Sequence, residues 1–281
     1  MAEAFGIAAG AIGVAAAFTA CVDCFGYVQL GRHLRRDFQT DRLALDCARL
    51  RLSRWGEAVA IYEDPKLGRP DATEAEIQNV GNTLQQILTL FADTQKISKK
   101  YKLTAKDAQG LSVLSTDDLD PAVKALSNKM TELVIKRQKG HSVIKTASWA
   151  LYHREELKEL VANVTAMVDN IETLFPAPPA RQAELVKKET AEVRDADQLR
   201  LVEDVAQGLD TVLYMAAKEV LTGNQYLNVV IEGKAQTGDS FGEGWHGQAI
   251  STCNKYDGIM VAKDGKALIG NKYGGKDFWD D

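Results

Sequence analysis

Proline is absent from the sequence after Pro179, whereas eleven of the 22 glycines lie in residues 223–281. A segment without proline keeps every backbone N–H for strand pairing, and glycines allow sharp corners between short strands. Before this region, the apolar residues instead recur at helical spacing. The composition therefore predicts a helical domain at 1–222 and a different kind of structure at 223–281.

The sequence also lacks the residue patterns of most catalytic and binding sites. Its four cysteines, at positions 21, 24, 47 and 253, form no regular framework, which favours a reducing cytosolic environment. The four histidines are scattered, and Cys21 and Cys24 have no second pair with which to bind zinc. A net charge of −5 without a basic patch argues against a nucleic-acid partner. We therefore predict no catalytic site, no metal and no cofactor.

Residues 270–276 approach the GxxxxGK pattern of a phosphate-binding loop. Asp277 stands where that loop needs a Ser or Thr to bind magnesium. The pattern is therefore incomplete, and we do not expect a nucleotide site.

Charge is absent from Ala4 to Val22, a run of 19 apolar or small residues that approaches the length needed to cross a bilayer. Gly6 and Gly10 have the GxxxG spacing that lets helices pack closely in lipid. Three interpretations stay open: a signal peptide, which Glu3 disfavours, a membrane anchor, and a helix buried in the soluble bundle. A segment marginal in both environments could also move from the bundle to a membrane. The candidate membrane-contacting residues are Phe5, Gly6, Ile7, Gly10, Ile12, Val14 and Phe18.

Apolar residues at steps of three and four predict an all-α bundle of six to eight helices in the first domain. The predicted helical ranges are 42–59, 77–91, 121–138, 142–153, 157–175 and 199–220. Trp55 and Trp149 are predicted to pack inside this bundle.

The last 60 residues contain one sequence unit twice. "NQY" at 224–226 matches "NKY" at 254–256 with an offset of 30, and "GKAQTGDSFG" at 233–242 matches "GKALIGNKYG" at 265–274 with an offset of 32. The two pseudo-repeats therefore cover 224–242 and 254–274, and the second holds two extra residues before its GKA. Repeats of this size indicate stacked units that cannot bury a face alone.

Two repeats leave both of their outer edges unpaired, so they bury too little surface to compensate for their own ordering. A column of many copies removes this deficit, because every backbone edge then finds a partner at about 4.7 Å spacing. Asn224 above Asn254 would add an amide ladder. We therefore predict a tail that is disordered in the monomer and ordered as a homo-oligomeric fibril.

Several segments of the chain resemble the fungal HET-s/HET-S prion proteins. They are "AFGIAAGAIGVAAAFTACVDCFGYVQLGR" at 4–32, "RLSRWGEAV" at 51–59, "KRQKG" at 136–140, "WALY" at 149–152, and "LIGNKYGGKDFWD" at the end. The resemblance implies a HeLo domain followed by a prion-forming domain. In that family each repeat forms one rung of a left-handed β-solenoid amyloid, with a flexible loop between them, here 243–253.

The resemblance implies a signalling role without catalysis. In that family, a receptor of the NLR type with a matching amyloid motif supplies a template for the tail. The resemblance implies that tail refolding then disrupts the helical domain and that the N-terminal segment moves from the cytoplasm to membrane lipids, with heterokaryon incompatibility and programmed cell death as the result. Protective variants instead co-assemble with other HET-s/HET-S-like chains without toxicity. The alternative is a membrane-anchored helical adaptor with an inert flexible tail.

The resemblance also assigns roles to individual residues. Asp23 and His33 lie where substitutions between family variants decide toxicity. The residues assigned to the amyloid core are Asn224, Val229, Ile231, Ala235, Phe241, Asn254, Ile259, Val261, Ala267, Ile269, Tyr273, Phe278 and Trp279.

Overall fold

The computed structural model of the chain describes residues 13–31, 38–104, 113, 118–140, 149–151, 153–193, 195–222, 225–227, 229–232, 234–242, 245–246, 255–262 and 267–274. Within these ranges, the first part of the chain holds eight helices and one pair of short strands. The helices are α1 Val14–Gly26, α2 Phe38–Ala58, α3 Glu74–Thr104, α4 Pro121–Gln138, α5 Arg154–Leu174, α6 Pro179–Glu192, α7 Ala196–Ala206 and α8 Thr211–Thr222. The strands are β1 Val28–Leu30 and β2 Trp149–Leu151.

Helix α2 lies at the centre of the bundle and packs against α1, α4, α5, α6 and α7. Its largest buried side chain is Trp55, which is 2% exposed and donates from Nε1 to the Phe175 carbonyl at 2.9 Å. Trp149 is also buried. The predicted helical bundle with both tryptophans inside is therefore confirmed.

Local signals in the sequence explain where several helices begin and end. Thr73 and Glu76 form a capping box at the start of α3: each backbone N–H donates to the other side chain, at 2.8 and 3.3 Å. These hydrogen bonds, with Arg69 nearby, lower the pKa of Glu76 to about 2. Helix α4 has the predicted bounds, with Pro121 in its first turn, and Gly140 follows at φ +81°.

The prediction of one helix at 199–220 is wrong, because the chain turns between α7 and α8. Gly208 adopts φ +81°, a left-handed conformation that ends α7. Asp210 then begins α8, since its Oδ1 accepts the Leu213 N–H at 3.1 Å. Val212 is 36% exposed, although a continuous helix at 199–220 would place it on the apolar stripe of that range.

The prediction of a helix at 142–153 is also wrong where the structure describes that range. β2 pairs in parallel with β1, in the register Val28 to Trp149 and Leu30 to Leu151. The Trp149 N–H donates to the Tyr27 carbonyl at 2.9 Å. The domain is therefore a helical bundle with one small parallel sheet, and strand partners so distant in sequence outweigh local helical spacing.

Helix α6 was not among the predicted ranges, because "FPAPPA" at 175–180 indicated only the end of a helix. Pro179 occupies the first turn of α6, where the missing N–H is not needed for a helical hydrogen bond. The same proline-rich stretch therefore ends α5 and begins α6.

A buried ion-pair network joins α2, α4, α6 and the turn before α8. Arg54 contacts Asp210 and lies 2.6 Å from Glu189, and all three side chains are at most 2% exposed. Arg137 lies 2.7 Å from Glu189 and 3.0 Å from Glu57. Removing one partner from a buried pair of this kind costs about 3–5 kcal/mol, because the other charge is left buried. The network therefore fixes the α7–α8 turn to the middle of the bundle.

Contacts divide the chain into two compact units, Met1–Tyr214 and Met215–Asp281. This division lies inside α8. The boundary predicted between 222 and 223 lies later in the chain, at the end of α8, and stays a prediction. The second unit holds eight short strands among its described residues: β3 Gln225–Leu227, β4 Val230–Ile231, β5 Ala235–Thr237, β6 Ser240–Phe241, β7 Lys255–Asp257, β8 Met260–Val261, β9 Ala267–Ile269 and β10 Lys272–Tyr273.

Candidate functional site: a buried N-terminal helix and two paired repeats

The aromatic ring of Phe18 packs between α1 and α2. Its ring centroid lies 6.2 Å from that of Trp55 and 5.9 Å from that of Tyr62. Gly56 makes this packing of Phe18 possible, because a Cβ at that position would overlap the Phe18 ring. Thr19 adds a hydrogen bond between its Oγ1 and the Tyr62 hydroxyl at 3.1 Å. Phe18 thus belongs to the core of the bundle.

Polar groups of α1 are also bound inside the domain. Asp23 is 5% exposed, and its Oδ1 accepts from Gln138 Nε2 at 2.8 Å. Arg49 Nε donates to the carbonyl oxygen of Val22 at 2.9 Å. A buried carboxylate is costly without such partners. Helix α1 extends to Gly26, so Asp23 lies within the helix although the apolar run ends at Val22.

The Cys21-x-x-Cys24 pair lies on the buried face of α1. Cys21 Sγ donates to the Leu84 carbonyl of α3 at 3.1 Å. Burial raises the pKa of both thiols well above the usual range, so they stay protonated. In the part of the chain that the structure describes, no group of three or more His, Cys, Asp or Glu residues could hold a metal ion.

Only part of the predicted apolar segment 4–22 falls in the described ranges. Val14 is half-buried and Phe18 is buried. Five of the candidate membrane-contacting residues and one candidate toxicity residue lie outside the described residues: Phe5, Gly6, Ile7, Gly10, Ile12 and His33. No helix among the described residues combines the length and the hydropathy needed to cross a membrane.

The two C-terminal repeats pair with each other strand by strand, and all four pairs are parallel. β3 pairs with β7 and β4 with β8 at an offset of 30, whereas β5 pairs with β9 and β6 with β10 at an offset of 32. These are the two offsets that the sequence repeats have. Each strand residue therefore pairs with the residue at the equivalent position of the other repeat. The two extra residues of the second repeat fall between β8 and β9.

Most of the predicted core residues whose side chains the structure describes are buried or half-buried. Ile269 is buried, at 6% exposed, whereas Ile231 is 38% exposed. Tyr273 packs its ring 5.3 Å from that of Trp245. The half-buried residues are Val229, Ala235, Ile259, Val261, Ala267 and Tyr273. Asn224, Asn254, Phe278 and Trp279 lie outside the described residues, and for Phe241 the structure describes the strand only. The core assignments as a set stay predictions.

Gly270 allows the second repeat to approach the first. Its φ is +144°, and a Cβ there would overlap the carbonyl oxygen of Gly238. Beside it, the N–H groups of Gly238, Ser240 and Gly242 donate to carbonyls of the second repeat at 2.7–2.8 Å. The Asn271 N–H donates to Asp239 Oδ1 at 3.1 Å. A side chain at position 270 is therefore incompatible with this pairing.

The described residues define a two-part protein, a helical domain followed by two repeats that pair in parallel and in register. Comparison with known proteins identifies the family to which such a chain belongs. The HeLo family, described as prion-inhibition and propagation, matches residues 6–202. The chain is 39% identical, over the full length of both proteins, to heterokaryon incompatibility proteins S and s of Podospora anserina.

Solved structures support the same relationship for the helical domain. The HET-S N-terminal domain is 42% identical with a TM-score of 0.70, over 75% of this chain and 94% of the solved one. The HET-s N-terminal domain carrying two substitutions is 41% identical with a TM-score of 0.69, over 74% of this chain and 97% of its own. The chain belongs to the HeLo family of HET-S-like heterokaryon incompatibility proteins. Membership of this family implies self-assembly and interaction between variants.

Sequence reasoning did not identify two features that hold the helices in place. One is the packing of Phe18 against Gly56, which a glycine inside a strong helical pattern could have indicated. The other is the network around Arg54, whose acidic partners are 135 and 156 residues away in the sequence. No local signal marks that second feature.

Gly56→Ala tests the packing of α1. We expect it to lower the free energy of unfolding by about 1–3 kcal/mol, because the added methyl group overlaps Phe18. The matched control is Gly81→Ala in α3, where a Cβ would lie 3.6 Å from the nearest atom, Val14 Cγ2. Alanine there should raise stability by about 0.5–1 kcal/mol. Urea unfolding of the full chain measures both, and equal effects would contradict this packing of α1.

Gly270→Ala tests the pairing of the repeats. In this variant, the amides of Gly238, Ser240 and Gly242 should lose their protection against hydrogen exchange. The measurement is made under conditions in which the wild-type chain protects all three amides. The control is Gly258→Ala, which also replaces a glycine at positive φ, here +70°, but meets no atom within 4 Å. Protection retained in Gly270→Ala would show that the repeats pair in another register.

Proposed function

We propose that this protein is an amyloid-triggered cell-death protein of heterokaryon incompatibility. Its repeats add to a stacked β-solenoid, and their refolding loosens the helical domain and releases the N-terminal segment to a membrane. One observation carries the proposal: the repeats pair in parallel and in register, with identical strand order. Such a unit presents on its outer edges the same backbone groups that it pairs inside, so further copies can add without a new kind of contact.

The free tail of a single chain is disordered in this proposal. The strands in each repeat are two or three residues long, and isolated strand pairs of that length are at best marginally stable in water. Addition to an existing column supplies the missing partners. A receptor of the NLR type with a matching amyloid motif, or another HET-s/HET-S-like variant, provides the first template.

Helix α2 supports both parts that move in this mechanism. Arg49 holds the backbone of α1. Two residues further along, Arg51 Nη1 donates to the Leu209 carbonyl at 2.7 Å, and Arg54 pairs with Asp210. The start of α8 and the N-terminal helix are thus held by neighbouring side chains of one helix. Among the described residues, α8 is the element between that turn and β3 in the sequence, so in this proposal a pull from the assembling repeats acts on Asp210.

Moving Asp210 away from Arg54 is expensive. It leaves Arg54 buried with one carboxylate instead of two, and loss of a partner from such a site costs about 3–5 kcal/mol. Small domains are stable by only about 5–15 kcal/mol. Displacement of α8 as the repeats assemble therefore removes a large fraction of the stability that keeps α1 in the bundle.

Asp23 opposes membrane insertion in two ways. Its bond to Gln138 holds α1 in the bundle, and a carboxylate near hydrocarbon is costly. We assign Asp23 to the control of toxicity on this basis, and His33 on the resemblance to the family alone. A chain in which α1 stays bound co-assembles without damage, and that chain is the protective variant. A chain that releases α1 relocates from the cytoplasm to the cell membrane.

A disulfide between α1 and α3 tests the release step. At Gly81 a Cβ would lie 3.6 Å from Val14 Cγ2, so cysteines at both positions are within reach of a disulfide. We expect seeded Val14→Cys/Gly81→Cys chains, in a Cys253→Ser background, to keep the amides of α1 protected when oxidised. After reduction, fibril seeds should raise α1 exchange at least tenfold.

Val14→Cys alone is the control and should respond to seeds with or without reductant. Leakage of anionic liposomes is recorded in parallel. Leakage together with α1 exchange assigns the toxic form, and suppression of leakage caused by another variant assigns the protective form. If assembly of the repeats leaves α1 protected in the reduced protein, the proposed coupling is wrong.

A further inference from the structure

The loop between α2 and α3 (residues 59–73, the strap) contacts α1 through the Tyr62 side chain. Tyr62 is half-buried, with its ring centroid 5.9 Å from that of Phe18 and its hydroxyl 3.1 Å from Thr19 Oγ1. The two rings meet edge to face, an arrangement that stabilises an aromatic pair beyond its buried area. Helix α1 therefore cannot leave the bundle without losing both contacts.

The backbone of the strap is strained. Among the described residues, the non-glycine residues with positive φ are Ala60 at +52°, Leu67 at +53° and Lys139 at +48°. Two of them lie in the strap. The third, Lys139, follows α4 and pairs with Glu63 of the strap, with Nζ 2.5 Å from Oε1. Residues with a Cβ rarely adopt this left-handed conformation, and such strain gathers at switch regions of proteins. All three strained positions therefore belong to one loop and to its ion-pair partner.

Local hydrogen bonds explain the conformation of Ala60. The Ile61 N–H donates to the Gly56 carbonyl at 2.9 Å, and the Ala60 N–H donates to the Glu57 carbonyl at 3.1 Å. This pair of bonds is a Schellman motif, which ends a helix with a left-handed residue that is usually glycine. Alanine at this position keeps the turn but makes the closed strap less stable than glycine would.

The two halves of the strap are held in different ways. In the second half, Arg69 Nη1 donates to the Leu174 carbonyl at 2.9 Å, and its guanidinium carbon lies 5.0 Å from the centroid of the Phe175 ring. In the first half, the Glu63–Lys139 pair joins the strap to the end of α4, and both side chains are about half exposed. Exposed ion pairs of this kind contribute little to stability. The second half is thus fixed to the end of α5, and the half beside α1 is joined to α4 by a weak pair.

We propose that the strap is a strained latch, in which Tyr62 positions α1 and the backbone strain at Ala60 and Leu67 lowers the cost of opening. In the closed strap, Tyr62 packs on Phe18 and keeps α1 in the bundle. When the first half of the strap swings away, the strained residues relax and α1 loses these contacts. The role of the latch in signalling rests on the proposed release of α1, whereas its effect on α1 in the unseeded chain does not.

Ala60→Gly tests the strain. Glycine adopts the left-handed conformation without the steric cost of a Cβ, so the closed strap becomes more stable. We expect hydrogen exchange of the α1 amides in the full chain to slow about fivefold, with exchange of the α5 amides unchanged. The matched control is Ala58→Gly, the same substitution in the last turn of α2, which should not slow α1 exchange because glycine destabilises a helix. Unchanged or faster α1 exchange in Ala60→Gly would overturn the latch.

Tyr62→Ala tests the contact with α1, because it removes both the ring and the hydroxyl. Exchange of the α1 amides should become at least tenfold faster, and protected α5 amides show that the variant is folded. In Ala60→Gly/Tyr62→Ala, the glycine should no longer slow α1 exchange, because the closed strap no longer contacts Phe18. If glycine slows α1 exchange by the same factor with and without Tyr62, Ala60 acts only through the end of α2 and the latch is wrong.

Fibril seeds separate the latch from the proposed function. In seeded wild-type chains α1 exchange should rise with time, and in seeded Ala60→Gly chains the rise should be about fivefold slower. A rise at the same rate in both would overturn the role of the latch in release. No rise in the wild type would overturn the proposed function, whereas slow α1 exchange in unseeded Ala60→Gly chains would still support the latch.

Discussion

Backbone pairing between the two repeats is the constraint on which the structure of the C-terminal unit and its proposed assembly depend. The second repeat contacts the first closely enough that Gly270 and Gly238 meet backbone to backbone. This closeness requires glycine at the corner and one register along the whole repeat. In the proposed column, the register that is fixed inside one chain is also fixed between chains, because each outer edge carries the same groups. The proposal therefore derives assembly specificity from the same contacts that hold the two repeats together.

The helical domain places its most costly interactions at the turn before α8, the helix that precedes the repeats in the sequence. Arg54 and its two carboxylates are almost fully buried, and one of these carboxylates caps α8. Helix α1 is held by hydrogen bonds and aromatic contacts to helices α2, α3 and α4 and the loop after α2. Helix α2 thus contacts both α1 and the turn before α8, so the proposed coupling needs only one intervening helix.

The sequence was most informative where structure follows from local or repeated patterns. The offsets of 30 and 32 predicted the strand register, and helical spacing predicted the range 121–138 of α4. The sequence was less informative where contacts between distant residues determine the structure. Residues 149–151 form the strand β2 because β1 pairs with them. The buried charge of Arg54 is compensated because Glu189 and Asp210 surround it. The break between α7 and α8 was predictable in principle from Gly208 and Asp210, but a continuous apolar stripe concealed it. For α1, the apolar composition left bundle and membrane open, and the contacts of Phe18 and Asp23 show its place in the bundle.

The central claim is that a lone pair of repeats is unstable and a column of them is stable. Its most direct test is hydrogen exchange at the amides of Gly238, Ser240 and Gly242 in the full chain, compared between nanomolar dilution and assembled filaments. The account predicts rapid exchange in dilute chains and strong protection in filaments. Strong protection at every concentration would contradict it, because the repeats would then be ordered before any template is present.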